Sequence, residues 1–380
     1  MIGFGKKKIL GMVILTFFGI AVVAGCDEDS VGDAPGENGE TPDGQRTITD
    51  MAGRTVEVPE EIDSVMGLSS TNRFFVYFDV EDKMVGVREA EKGPDHRRPW
   101  ELAIEDKIAE MPSYDTSDIE GIAQLNPDVI LRCHSVVTTD YQEEENIQNK
   151  TNIPVVIGKP YVSLYKNTPE FYETVELVGD LLNKEERAEE LIAGVEEIIK
   201  DLDERTRDIP EEDKPSAYVG GKSWAGSHDI TSTSSYYSAL EFINAENVAA
   251  EVGEENAFVD REAIIDWDPD IIFVEKSSGY EMCLEDLNSP EFEQLSAVQN
   301  EEIYRIFLKI SNNTNFANVL VNAYYMGSVI YPDEFADVDF KEKADEIYEL
   351  FFGHSIYDKA KSAEFEGGHE RLDSDYLKQY

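Results

Sequence analysis

Arginine, histidine and aromatic side chains gather in a few polar stretches of this chain. Their types restrict the chemistry open to it. His96, Arg97, Arg98 and Trp100 fall within five residues, with Arg73 before them. Arg132 and His134 follow one apolar run, and Tyr161 follows the next. In the second half Trp224, His228 and Tyr236 share a polar stretch, Lys276 and Tyr280 share another, and Asn312 lies in a third. Guanidinium groups pair with carboxylates, and aromatic rings stack on or cover organic ligands. The set suits holding a large, flat or anionic compound. Taken singly, each Tyr or Trp also fits core packing. His96, His134 and His228 are weak candidates to ligate haem, cobalt or a bare transition metal. Their intervals match no compact metal motif.

Two stretches resemble enzyme motifs and fail them. Gly220-Gly221-Lys222-Ser223 hints at a phosphate loop, but the pattern needs a Gly where Ser216 stands. Gly221 to Ala225 approaches a nucleophile elbow, yet polar chain continues to about Ser235 where an elbow would enter a helix. No catalytic residue and no cofactor is assigned. An extracellular hydrolase is disfavoured, and any ATP is hydrolysed by a partner subunit.

The elements that position these residues are announced by a repeat. Asp118 to Leu131 aligns without a gap on Asp260 to Phe273, with six of 14 positions identical, including Glu120 and Glu262. Each copy reads as a short helix, a Pro-Asp turn and a buried strand. A spacing of 142 residues is domain-sized, so the chain is expected to hold two related α/β lobes. Further apolar runs alternate with helical stretches, which argues for mainly parallel sheets. Ligands of such sheets bind beyond the carboxyl ends of the strands, where the polar stretches fall.

The expected divisions are a signal segment over 1–26, a disordered acidic tether over 27–46 and a first lobe over 47–167. A helical connector over 168–208, a second lobe over 209–353 and a polar tail over 354–380 follow. Lys6-Lys7-Lys8 precedes an apolar stretch that ends Val23-Ala24-Gly25-Cys26, like a lipoprotein processing box, so Cys26 is the expected lipidation site. An uncleaved N-terminal anchor is the alternative. Either places the mature chain outside the cytoplasm, tethered to the membrane. Cys133 and Cys283 are expected to stay unpaired, because a disulfide between them would clamp the lobes. With 80 acidic and 33 basic residues, the net charge is −47. Nucleic acid is excluded as a partner by charge, and a saline habitat is suggested.

The hairpin stretch Arg46 to Pro59, the run Ile62 to Val65, the two Glu-bearing copies, the helical connector and the ending Ile330 to Phe335 resemble one family in order and spacing. It comprises the substrate-binding lipoproteins of ABC importers for iron–siderophore complexes, haem and vitamin B12. The resemblance implies two α/β lobes joined by one rigid helix, a ligand in the cleft between them and little hinge motion. It implies a permease dimer with cytoplasmic ATPase subunits as partner, docked through one glutamate per lobe, here Glu120 and Glu262. Paired carboxylates suit this role because they meet permease arginines and set register. A bare transition-metal-ion importer remains the alternative.

Overall fold

A computed structural model describes residues 44–69, 71–93, 98–134, 140–159, 162–166, 169–224, 226–309, 314–362 and 367–380. Cys26 and the segments around it, His96, Arg97, Tyr161 and Asn312 lie outside the described residues. The first lobe holds β1 (Gln45–Thr49), β2 (Thr55–Pro59), β3 (Val65–Leu68), β4 (Val87–Arg88), β5 (Ser113–Tyr114), β6 (Val129–Arg132) and β7 (Val155–Ile157). The second holds β8 (Ser216–Gly220), β9 (Ser232–Thr233), β10 (Glu246–Asn247), β11 (Ala257–Phe258), β12 (Ile271–Glu275), β13 (Ile303–Ile306) and β14 (Glu370–Arg371).

β1 and β2 form the expected antiparallel hairpin. Its turn is organised by Asp50, whose buried carboxylate accepts from the Ala52 and Arg54 amides at 3.0 Å and pairs with the Arg54 guanidinium at 2.7 Å. β3, β6 and β7 form a parallel sheet in that order. In the second lobe the order is β10-β8-β12-β13-β14, parallel except for β14.

The two repeat copies fold alike. Helix Ile119–Leu125 and helix Arg261–Trp267 each end on a left-handed residue, Asn126 (φ 47°) and Asp268 (φ 42°). Pro-Asp follows, then β6 or β12. Asn and Asp tolerate that conformation better than other residues with a Cβ. Along these strands alternate residues enter opposite faces. Val129, Leu131, Ile271 and Phe273 enter one large core, and Ile130 and Ile272 enter smaller clusters behind each sheet. Both sheets are thus covered on two faces, as their apolar runs require.

That large core is shared by the lobes. The connecting region contains helices Glu170–Leu182 and Glu185–Thr206, broken at left-handed Asn183. Helix Phe316–Ile330 packs beside them. At its start Phe316 lies 6.2 Å from Phe74, 6.3 Å from Tyr77 and 4.7 Å from Phe171, ring centre to ring centre. Burying each such ring contributes about 1.5–3 kcal/mol.

Several expectations change. The tether was read as running to Arg46, but β1 begins at Gln45, and the Arg46 guanidinium donates to the Asp180 and Leu181 carbonyls at 2.8 and 2.7 Å. The tail from His354 is not a loose polar segment in its described parts. Leu372 and Leu377 are buried, and β14 pairs with β13. Arg305 on β13 donates to the Gly367 and Gly368 carbonyls and pairs with Glu370. The tail's buried apolar residues are divided between the large core, which takes Ile356, Tyr357 and Ala360, and the cluster behind the second sheet, which takes Leu372 and Leu377. Cys133 and Cys283 are buried and unpaired, as expected.

Candidate functional site

β8, β12 and β13 are neighbours and end nearly level, Val274 facing Gly220 and Glu275 facing Ile306. Each has a charged side chain at or just beyond its carboxyl end. Gly221, at φ 73°, turns the chain after β8 and is followed by Lys222. Glu275 closes β12, and Lys309 follows β13. The Lys222 side chain is 0% exposed and that of Lys309 is 2% exposed.

Glu255, on the loop before β11, joins the two lysines. Its Oε1 lies 3.2 Å from Lys222 Nζ and 3.5 Å from Lys309 Nζ. Lys222 also donates to the Glu255 carbonyl and, at 2.6 Å, to Asn256 Oδ1. Tyr165, beyond β7 of the first lobe, donates its hydroxyl to Glu255 and accepts from Lys309 at 3.3 Å. Lys309 Nζ sits 4.8 Å from the Tyr165 ring centre and 5.3 Å from that of Tyr237. The Tyr237 hydroxyl donates to Glu275 at 2.7 Å. Arg73 reaches across in the same way, donating to the Thr314 carbonyl. Segments that follow strands of the two sheets therefore touch, at Tyr165 and at Arg73.

Burial and neighbouring Lys309 pull Lys222 down to about 8. Burial pushes the Glu275 carboxyl up. Burial acts the same way on Glu255, but Lys309 and Lys222 outweigh it and hold that carboxylate below its ordinary range. The cluster thus sets two buried ammonium groups against one firmly ionised carboxylate, in a setting that favours anions.

The residues singled out from the sequence separate into groups. Arg98 is buried, and its amide donates to Glu101 at 2.7 Å while its guanidinium pairs with the same carboxylate. Trp100 was expected to line a cleft and instead lies 1% exposed in the shared core, because helix Pro99–Ala103 turns it inward. Tyr280, also expected in the cleft, is buried among the residues behind the second sheet, with Lys276 Nζ 4.2 Å from its ring centre. Arg132 pairs with Glu144 at 2.8 Å and Glu143 at 2.9 Å, and His134 lies 3.1 Å from Glu144. Arg73 belongs to helix Asn72–Tyr77 and is buried, where the sequence suggested a loop.

Trp224, His228 and Phe258 form a partly exposed aromatic cluster with ring centres 4.9–5.8 Å apart. Tyr236 is exposed nearby in sequence, its hydroxyl 3.4 Å from the Gly253 carbonyl. Among the described residues, no group of three or more His, Cys, Asp or Glu is placed to hold a metal ion. Sequence reasoning missed Glu255, Glu275 and Lys309. A charged residue that ends an apolar run, as in Val274-Glu275 and Leu308-Lys309, was the available signal for two of them.

Glu120 and Glu262 are exposed in the first turns of the two repeat helices. A helix joined to its strand by three residues runs back along it. Its first turn therefore lies towards the strand's carboxyl end, the side of the lysine cluster.

A family model described as periplasmic binding protein matches residues 67–307. The molybdate-binding protein MolA of Haemophilus influenzae is 23% identical over 330 residues, covering 81% of this chain and 91% of that protein. The solved structure of MolA bound to molybdate matches with a TM-score of 0.63 at 20% identity, covering 82% of this chain and 98% of that one. The Fe(3+)-citrate-binding protein YfmC of Bacillus subtilis is 24% identical over 312 residues, covering 79% of this chain and 89% of that protein.

Proposed function

The chain belongs to the periplasmic binding protein family, and from that premise we propose that it captures an anionic metal chelate outside the cytoplasm and delivers it to an ABC permease. Anionic iron–siderophore, iron–carboxylate and haem ligands fall within this reading, whereas a neutral corrinoid does not. The observation that carries it is the Lys222–Lys309 pair, buried beyond the carboxyl ends of the second sheet's strands and touched by Tyr165 from the first lobe. Two ammonium groups in a dry site favour a ligand that brings negative oxygens. The aromatic cluster of Trp224, His228 and Phe258 suits the organic part of a chelate. A chelated ion arrives with most coordination positions filled, so the protein needs no ligand cage of its own. Arg97, Tyr161 and Asn312 join the proposed binding residues.

The partner is a permease dimer with ATPase subunits, met through Glu120 and Glu262. Their equivalent positions give the chain a pseudo-twofold that matches a twofold partner. Lipid attached at Cys26 holds the protein at the outer face of the membrane. The shared core supports capture with little hinge motion. The relatives are named as binding proteins, and the chain is read as one without catalytic activity.

A second reading, capture of a small free oxyanion, is favoured by the same lysine pair, since one relative is named for molybdate. Titration calorimetry with ferric citrate, haem, cobalamin, molybdate and free Fe(III) separates the two. A chelate is expected to bind and free Fe(III) is not. Binding of free Fe(III) alone, lost in His134→Ala or His228→Ala, would overturn the chelate reading in favour of a metal-ion importer. Glu120→Arg with Glu262→Arg should abolish uptake and leave affinity within about tenfold, roughly 1.4 kcal/mol. A larger change in affinity would put the glutamates at the ligand.

A further inference from the structure

Glu255 differs from its neighbours in the cluster. Lys222 and Lys309 are buried, whereas the Glu255 side chain is 25% exposed. Its main chain is tied down independently. The Ser235 amide donates to the Glu254 carbonyl at 2.9 Å, and the Glu254 amide donates to Ser235 Oγ at 3.1 Å. Lys222 keeps two partners that do not depend on the Glu255 carboxylate, the Glu255 carbonyl and Asn256 Oδ1. Lys309 keeps the Tyr165 hydroxyl. The Glu255 carboxylate is thus held through its side chain, by Lys222, Lys309 and Tyr165, while each ammonium group has a further partner besides it.

Resting on the reading of this site as an anion-binding cleft, we infer that the Glu255 carboxylate is an internal stand-in for the ligand, occupying between Lys222 and Lys309 the place that a ligand carboxylate or oxyanion oxygen takes. Two buried ammonium groups without a counter-charge are costly, so the empty site needs Glu255. Glu275 is turned to other partners, accepting from the Tyr237 hydroxyl at 2.7 Å and the Ser223 amide at 3.4 Å. A neutral ligand cannot release Glu255 without leaving that cost uncovered, and an anionic one can. The competition makes the site selective for negative oxygens and lowers its affinity for them by the fraction of time Glu255 is in place.

The test compares the full chain with Glu255→Gln, Glu255→Asp and Lys309→Met, using ferric citrate and sodium molybdate as probes in calorimetry and thermal melts. Gln keeps an oxygen for Lys222 and loses the charge. Glu255→Gln is expected to bind a probe about tenfold more tightly than wild type. It should melt lower when empty and gain more from the probe. Lys309→Met should lose binding. Equal or weaker binding by a folded Glu255→Gln overturns the inference and leaves the chelate reading standing. If Glu255→Gln does not fold, Glu255→Asp, whose carboxylate is withdrawn by one methylene, should show a smaller gain, and no gain overturns the inference. Binding of molybdate but not ferric citrate, tighter in Glu255→Gln, supports the stand-in and favours the free-oxyanion reading. Binding of neither probe by any variant overturns the inference.

Discussion

Lys222 shows how one side chain carries the cost of a site. Its ammonium is wholly buried beside Lys309, Glu255 and Glu275, and its pKa falls from 10.5 to about 8. The consequence for stability has a definite sign. Below pH 8 the lysine is protonated in both the folded and unfolded chain, and its contribution does not vary with pH. Between about 8 and 10.5 the folded protein has released the proton and the unfolded chain has not, so stability rises with pH. Glu255 is held low and does not titrate in that window. Urea unfolding at pH 8 and 10 should therefore show wild type gaining on Lys222→Met, by roughly 1–3 kcal/mol. Parallel behaviour of the two proteins would mean that Lys222 is not desolvated. Trp100 teaches the converse, since an aromatic residue beside arginines looked like a ligand contact and is core.

At the scale of elements, the repeat has a mechanical basis. Asp128 Oδ2 accepts from the Asp63 and Ser64 amides at 2.8 Å, and the Asp128 amide donates to Ser64 Oγ at 3.0 Å. Asp270 does the same with Ser216, accepting from its amide at 2.9 Å and its hydroxyl at 2.8 Å and donating back at 3.0 Å. In each lobe the aspartate after the repeat proline ties the start of one strand to the start of its parallel neighbour. In the second lobe that link fixes β8 against β12, and so positions Lys222 beside Glu275. Asp128→Ala and Asp270→Ala should each lose about 1–3 kcal/mol, measured by urea unfolding. A loss below a few tenths would show that water replaces the carboxylate. The aspartates were plain in the sequence, but their serine partners were not, because each serine precedes its aspartate by more than fifty residues.

At the scale of the whole molecule, charge and core act in opposition. A net charge of −47 repels the chain from itself, and the folded state concentrates that charge. Salt shortens the screening length from about 10 Å at 0.1 M to about 3 Å at 1 M. The calorimetric melting temperature should accordingly rise as KCl increases over that range, by several degrees if screening is worth about 1 kcal/mol. A flat profile would mean that local ion pairs already neutralise the surface. The two lobes share one apolar core through Phe74, Tyr77, Phe171 and Phe316. Wide opening of the cleft would expose those rings, which supports small movements at the site over separation of the lobes.

Composition and local pattern were enough for the two-lobed α/β architecture, the repeat and the helices that carry Glu120 and Glu262. Each depends on neighbours within a dozen residues: an apolar run, a proline that stops a helix, a Pro-Asp turn before a strand. The fate of the charged and aromatic residues depended on contacts between segments far apart in the chain. Arg73 and Arg98 are polar in sequence and buried in the fold, while Trp224 is apolar and 39% exposed. Lys222, Glu255 and Lys309 carried no shared motif. Only the packing of β8 against β12 and β13, with Tyr165 arriving from the other lobe, brings them into hydrogen-bonding range, because that proximity comes from sheet register and a common core and not from spacing along the chain.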